Sequence, residues 1–195
     1  MRQEGSILSP TQPLSTITDY NSYFQFIRGL ILTDLAKHKL SMTVLMTPDM
    51  ANFSGNVHGG TILKFLDQVA YACASRYAGQ YVVTLSVDQV IFRQPIHVGE
   101  LVTFLASVNY TGRSSMEVGI RVLAENIRTR EQRHVNSCFF TMVAVDEQGK
   151  AIPVPPLGPS DDIEICRFNA AQRRRELRRE MEGRQSEIKT QTELD

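Results

Sequence analysis

One apolar helical stripe followed by a long run of strands constrains this chain more than any other feature. From Gly60 onward, Ile62, Phe65, Leu66, Val69, Ala70 and Cys73 recur at helical spacing, and the helix should end near Gly79. After Gly79 the pattern reads as strand as far as Asp146. YVVTLSVDQVIF (81–92) is one long strand, or two joined by a bulge, because its apolar phase shifts near Gln89. LVTFLASVNY (101–110) follows, then a turn at 111–114. Met116, Val118, Ile120, Val122 and Ala124 alternate with Glu117, Gly119, Arg121, Leu123 and Glu125, the pattern of an antiparallel strand with one buried face. HVNSCFFTMVAVD (134–146) is a largely apolar strand, and SMTVLM (41–46) is a short one ahead of the helix. Antiparallel strands around a single helix make an α+β chain rather than an alternating α/β one, with one sheet curled round that helix. The open edges of such a sheet often pair across a dimer axis.

The core so delimited spans 41–159. Residues 1–40 form an N-terminal extension, in which Tyr23, Phe26, Ile27, Leu30, Ile31 and Leu35 place an amphipathic helix over 18–39. Residues 160–195 form a charged, helix-prone tail. The chain balances 21 basic against 21 acidic side chains, and 17 of these 42 charges lie in 161–195. With only Leu177 and Met181 as a seam, the tail reads as a solvated, partly frayed helix. Its arginines within 173–179 suggest RNA, but interleaved glutamates and the absence of aromatics among them argue against it.

A net charge of zero over 195 residues gives no bulk attraction to nucleic acid or anionic lipid. The apolar runs are too short to span a bilayer, and the N-terminus carries no signal-peptide run, so a cytoplasmic chain without nucleic-acid or membrane partners is expected. Cys73, Cys138 and Cys166 are odd in number and widely spaced, and His38, His58, His97 and His134 are isolated. No metal site is expected.

The candidate chemistry sits in NFSGNVHGGTILKFLD (52–67). Gly59 and Gly60 open the helix where Ser, Thr or Asp would ordinarily cap it. Such a pair either leaves backbone N–H groups exposed for an anion or a polarised carbonyl, or makes a plain turn. Asp67 lies beside the apolar stripe, too far from the helix start for the dipole to account for it. It is either a boundary carboxylate bonded to solvent, Lys64 or Tyr71, or a general base or nucleophile facing a cleft. The loop TGRSS (111–115) and Arg93 are each able to hold a phosphate, and a hairpin turn and a surface arginine have the same composition.

Together these residues resemble the acyl-coenzyme A thioesterases of the hotdog-fold superfamily, in the broad-range acyl-CoA hydrolase branch. Asn52, Gly55, Gly59–Gly60 and Asp67 carry the likeness, supported by VTLSVDQVIFRQPIHVG (83–99), TGRSSMEV (111–118) and FFTMVAVDEQGKAIPVP (139–155). The resemblance covers about 42–157. It implies a hotdog sheet wrapped around one long central helix, with helical extensions at both ends outside the match. It also implies an enzyme that hydrolyses acyl-CoA thioesters to free acid and CoA without any cofactor, CoA being part of the substrate. Asp67 would be general base or nucleophile, Asn52 would orient water or thioester from the partner subunit, and the N–H near Gly60 would take the oxyanion. Thr84 and Ser86, facing the same way, would line the site with His58 and Gly59. Arg93, Arg113, Ser114 and Ser115 are candidates for the CoA phosphates. A homodimer is the minimum assembly, with a trimer of dimers common among relatives. The alternatives are a non-catalytic acyl-CoA sensor or regulator, and a hotdog enzyme of another CoA reaction. The tail and N-terminal helix have no counterpart in this likeness.

Overall fold

The structure, a computed structural model, describes residues 37–192. The helix expected over 18–39 lies outside the described residues except at its end, where Lys37 and His38 form a turn and Lys39 already belongs to a strand. The sheet therefore begins two residues earlier than the expected boundary at 41. Its elements are β1 (Lys39–Leu45), a single 3-10 turn (Pro48–Met50), α1 (Gly59–Ala78), β2 (Val82–Val87), β3 (Glu100–Thr111), β4 (Ser115–Asn126) and β5 (Gln132–Ala144). A long helix, α2 (Asp162–Thr192), follows. The five strands run in the order β1-β3-β4-β5-β2, and every neighbouring pair is antiparallel.

Helix α1 forms because its apolar residues recur every three or four positions. Ile62, Leu66, Val69, Ala70, Cys73, Ala74 and Ala78 are all buried against the concave face of the sheet. Gly79 ends it in the left-handed region (φ 66°), where its N–H bonds back to the Ser75 carbonyl at 2.8 Å. The opposing face consists of alternate residues of three strands: Val102, Phe104, Ala106 and Val108, then Met116, Val118, Ile120, Val122 and Ala124, then Cys138, Phe140, Met142 and Ala144. Burying a side chain such as Phe104 or Leu66 contributes roughly 1.5–3 kcal/mol, so this interface supplies most of the drive to fold. Burial also pushes the Cys73 and Cys138 thiols up to about 12, as expected of small core residues.

The charged tail is docked on the sheet as far as Arg178. Helix α2 lies across the convex face of the sheet, and its contacts recur at helical spacing: Glu164, Phe168, Ala171, Arg174, Arg175 and Arg178 are buried or half-buried. Glu117 on β4, 2 % exposed, accepts from Arg174 Nη2 at 2.6 Å and Arg178 Nη2 at 2.9 Å. Arg178 also reaches Asp88 at 2.7 Å, and the Arg174 guanidinium sits 3.6 Å above the Phe139 ring. The expectation of a solvated tail fails as far as Arg178, because Arg174 and Arg178 pair with Glu117 and Asp88. It holds from Arg179 to Ile188, all exposed, where Arg184 pairs with Glu180 four residues back at 2.6 Å. The N-terminus of α2 is fixed as well: Asp161 caps the Glu164 N–H at 2.8 Å, and Glu164 bonds Ser160, Lys39 and His38.

Candidate active site

Asp67 stands two turns into α1 on the solvent side of the buried stripe. Of its expected partners, Tyr71 instead meets Tyr81 edge-on at 6.1 Å. Asp67 Oδ1 accepts a hydrogen bond from Thr84 Oγ1 at 2.7 Å. That bond crosses from helix to strand. Thr84 pairs with Met142 on β5, so both point toward α1, and the hydroxyl meets the carboxylate across the open side of the helix. The result is an exposed carboxylate held in one orientation, with its other oxygen available to a proton.

Ser86 does not share this position. Between Thr84 and Ser86 the ladder slips, so that Thr84 pairs with Met142 and Ser86 with Thr141. The extra residue of the bulge turns Ser86 to the opposite face of the sheet, the side covered by α2. The expectation that Thr84 and Ser86 face the same way is corrected accordingly: the phase shift read near Gln89 occurs at Leu85.

The helix start is built differently from an open Gly-Gly pair. His58 is the N-cap, and its Nδ1 accepts the Gly60 N–H at 2.9 Å, so a neutral ring carries its proton on Nε2. The Gly60 N–H is therefore already bonded within the chain. Gly59 lies beside Phe92, whose ring would be 3.7 Å from a Cβ placed there. Asn52 shapes the preceding loop. Its Oδ1 accepts from the N–H groups of Ser54 and Asn56 at 2.9 and 3.1 Å, and Gly55 completes the turn at φ 77°. Only the Asn52 Nδ2 amide remains to act on a ligand, as a donor. The neighbouring Phe53 projects fully exposed from the loop tip.

Two distances set what one chain can do. Gly60 and Asp67 are seven residues apart on a straight helix, or about 10 Å of rise. Both therefore cannot touch the same carbonyl group. The two sets of candidate phosphate ligands are likewise separate. The Arg93 N–H bonds Val135 near one end of β5, while the 113–115 turn bonds Ala144 at the other, nine residues or about 30 Å away. The row Met116–Met142–Thr84 places the turn, not Arg93, at the end of the sheet that holds Asp67. Among the described residues no group of histidine, cysteine or carboxylate side chains could hold a metal ion. A small cavity lined by His38, Ser107, Val108, Asn109, Leu157, Glu164 and Arg167 includes none of the candidate site residues.

Strand β2 is an edge strand with an apolar surround. Tyr81, Val83, Leu85 and Val87 are exposed along it, Leu85 by 68 %, with Leu63 and Tyr71 of α1 and Ile91 and Phe92 beyond. An uncovered apolar edge of this kind is what a second strand would bury.

A family model described as the thioesterase superfamily matches residues 54–131. The chain is 54% identical over 140 residues to protein VdlD of Helicobacter pylori, spanning 72% of this chain and 80% of that one. A hexameric acyl-CoA thioesterase of known structure is 37% identical, with a TM-score of 0.71 over 73% of this chain and 92% of its own. An acyl-CoA hydrolase from Staphylococcus aureus, solved with butyryl coenzyme A, coenzyme A and coenzyme A disulfide, is 33% identical. Its TM-score is 0.69 over 76% of this chain and 92% of its own. Structures of that hydrolase with an asparagine, an aspartate or a threonine replaced by alanine are also matched. Those three positions are spaced by 15 and 17 residues, the spacing of Asn52, Asp67 and Thr84 here.

Proposed function

Since the chain belongs to the thioesterase superfamily, among its hotdog-fold acyl-CoA hydrolases, we propose that it hydrolyses acyl-CoA thioesters with Asp67 as the catalytic carboxylate. The observation that carries this is the Thr84–Asp67 hydrogen bond beside an open helix face. Asp67 takes a proton from water as that water attacks the thioester carbon, or attacks the carbon itself to form an anhydride that water then opens. The C–S bond breaks, CoA leaves as a good thiolate, and Asp67 returns the proton. No metal or other cofactor is needed for such a leaving group. A positioned general base is worth about 10²–10⁴-fold, and an oxyanion donor about 10²–10³-fold.

The oxyanion donor is the Gly60 N–H, which passes from His58 Nδ1 to the substrate oxygen on binding, with the Asn52 amide donating alongside. The spacing of about 10 Å between Gly60 and Asp67 on one helix supports a site made by two subunits, Asp67 and Thr84 from one and Asn52 and Gly60 from the other. Pairing of the β2 edges would bring these sets together, and a hexamer, as in the hexameric relative, would be three such dimers. Thiol release from a panel of acyl-CoAs of graded chain length tests the reading. A purified protein that releases no thiol from any of them would sink it.

A further inference from the structure

Arg175 is the one half-buried arginine among the described residues with no carboxylate partner. Arg133, Arg174 and Arg178 are all ion-paired. Arg175 Nη1 instead bonds the Tyr110 hydroxyl at 3.2 Å, its guanidinium lies 5.5 Å from that ring, and the Phe168 ring packs tilted against Tyr110 at 5.1 Å. This aims the remaining donors at the β3–β4 turn: Arg175 Nη2 is 3.6 Å from where a Cβ on Gly112 would stand, and Ser115 Oγ is 2.9 Å from the same point.

The turn itself is polarised. Its carbonyls point inward, that of Arg113 to the Val154 N–H, that of Ser114 to the Ala144 N–H and that of Ser115 to the Gly112 N–H. The N–H groups of Arg113 and Ser114 and the hydroxyls of Ser114 and Ser115 have no partner among the described residues. The turn thus carries two free amides, two free hydroxyls and the exposed Arg113, and the fixed Arg175 Nη2 and the Ser115 hydroxyl meet over Gly112, where a side chain would collide with that hydroxyl. Backbone amides gathered with arginines in this way bind phosphate. The row Met116–Met142–Thr84 connects the turn to Asp67 across two strand spacings, about 10 Å, a span that a pantetheine arm covers.

We infer that Arg175, on the C-terminal helix, binds the phosphates of the CoA moiety together with the 112–115 turn. Helix α2 is thus part of the substrate site, and its Glu117 and Asp88 ion pairs hold Arg175 in register with the turn. The inference rests on the thioesterase reading for its ligand, and two measurements separate the two. Calorimetry with 3′,5′-adenosine bisphosphate, the phosphate-bearing end of CoA, reports on Arg175 without any hydrolysis. Steady-state kinetics compares acyl-CoA with the matching acyl-pantetheine, which lacks those phosphates. In Arg175→Gln, nucleotide binding weakens and KM for acyl-CoA rises, each about tenfold, the worth of one charge-assisted hydrogen bond. The kcat is kept and acyl-pantetheine turnover does not change. Arg175→Lys, which retains the charge, gives a smaller shift. Unaltered binding and KM in a folded Arg175→Gln protein overturn the inference, as does an equal loss with both substrates. Absence of thiol release by the unsubstituted protein would remove the thioesterase reading alone, leaving the nucleotide measurement to decide on Arg175.

Discussion

The Thr84 hydroxyl donates to Asp67 Oδ1 at 2.7 Å and so ties the edge strand β2 to the central helix α1. The bond fixes the carboxylate and leaves its second oxygen free, the state required of a general base or nucleophile. Asp67→Ala and Asp67→Asn are expected to lower kcat by at least about 10²-fold with no loss of fold, since the residue is exposed. Thr84→Ala should cost about 10–100-fold, the value of a hydrogen bond to a charged group, while Thr84→Ser retains most activity. Equal rates for Thr84→Ala and the unsubstituted enzyme would show that the bond plays no part in turnover.

His58 Nδ1 accepts the Gly60 N–H at 2.9 Å. If the imidazole only caps the helix, His58→Ala loses about 1 kcal/mol of stability and keeps its kcat, because the amide it releases is the one the oxyanion needs. Thermal melts and kinetics on the same preparation check both halves. A 100-fold fall in kcat would instead place His58 against the substrate.

Leu85 is 68 % exposed on the edge strand, at the bulge that separates Thr84 from Ser86. Leu85→Lys puts a charge where two β2 edges would meet, a common natural block to strand pairing. Light scattering after gel filtration should show a monomer, and hydrolysis should vanish although Asp67 and Thr84 are untouched. A fully active monomer would mean that one chain holds a complete site, against the spacing of Gly60 and Asp67.

Where the sequence was legible and where it was not follows from the range of the interactions. The α1 stripe and the alternation of β4 are local patterns, and the order of helix and strands could be read from them. The position of Ser86 could not, because the bulge that turns it away is set by pairing with Thr141 and Met142, more than fifty residues on. The tail misled for the same reason. Arg174 and Arg178 look like solvated charges within their own helix, and only the fold brings them to a buried Glu117 lying 57 and 61 positions away. The Thr84–Asp67 bond leaves no local trace either, whereas the Gly-Gly pair before Asp67 marked the region without revealing that His58 occupies its amide.

Glu164 joins the start of α2 to the start of β1. The Lys39 ammonium at 2.6 Å, the Ser160 N–H and His38 hold its carboxyl well below the ordinary 4.5, against the opposing effect of burial. A carboxylate with a depressed folded pKa stabilises above its unfolded value and loses that contribution as pH falls toward the folded one. Glu164→Gln should therefore lower stability by about 1–3 kcal/mol at neutral pH. The difference in Tm between the two proteins should narrow below about pH 4. Glu100 adds to the same acid sensitivity: burial pushes it up, but bonds from Arg133 and the His97 N–H outweigh this and keep it low. A Tm gap that widens on acidification would contradict the assignment.

The three cysteines provide a check on the packing of both helices. Cys73 on α1 and Cys138 on β5 are buried, with thiols pushed up to about 12, whereas Cys166 lies exposed on the outer side of α2. A thiolate is the reacting species with Ellman reagent, and a buried thiol so raised supplies almost none. The native protein should therefore titrate one fast thiol per chain, which Cys166→Ser removes, and three after denaturation. Because that same reagent reads CoA release, the Cys166→Ser protein gives the cleaner hydrolysis assay. Its exposed position, away from the Arg174, Arg175 and Arg178 contacts, predicts unchanged turnover. Rapid labelling of Cys73 in the native state would mean that α1 leaves the sheet far more readily than a helix with seven buried residues should.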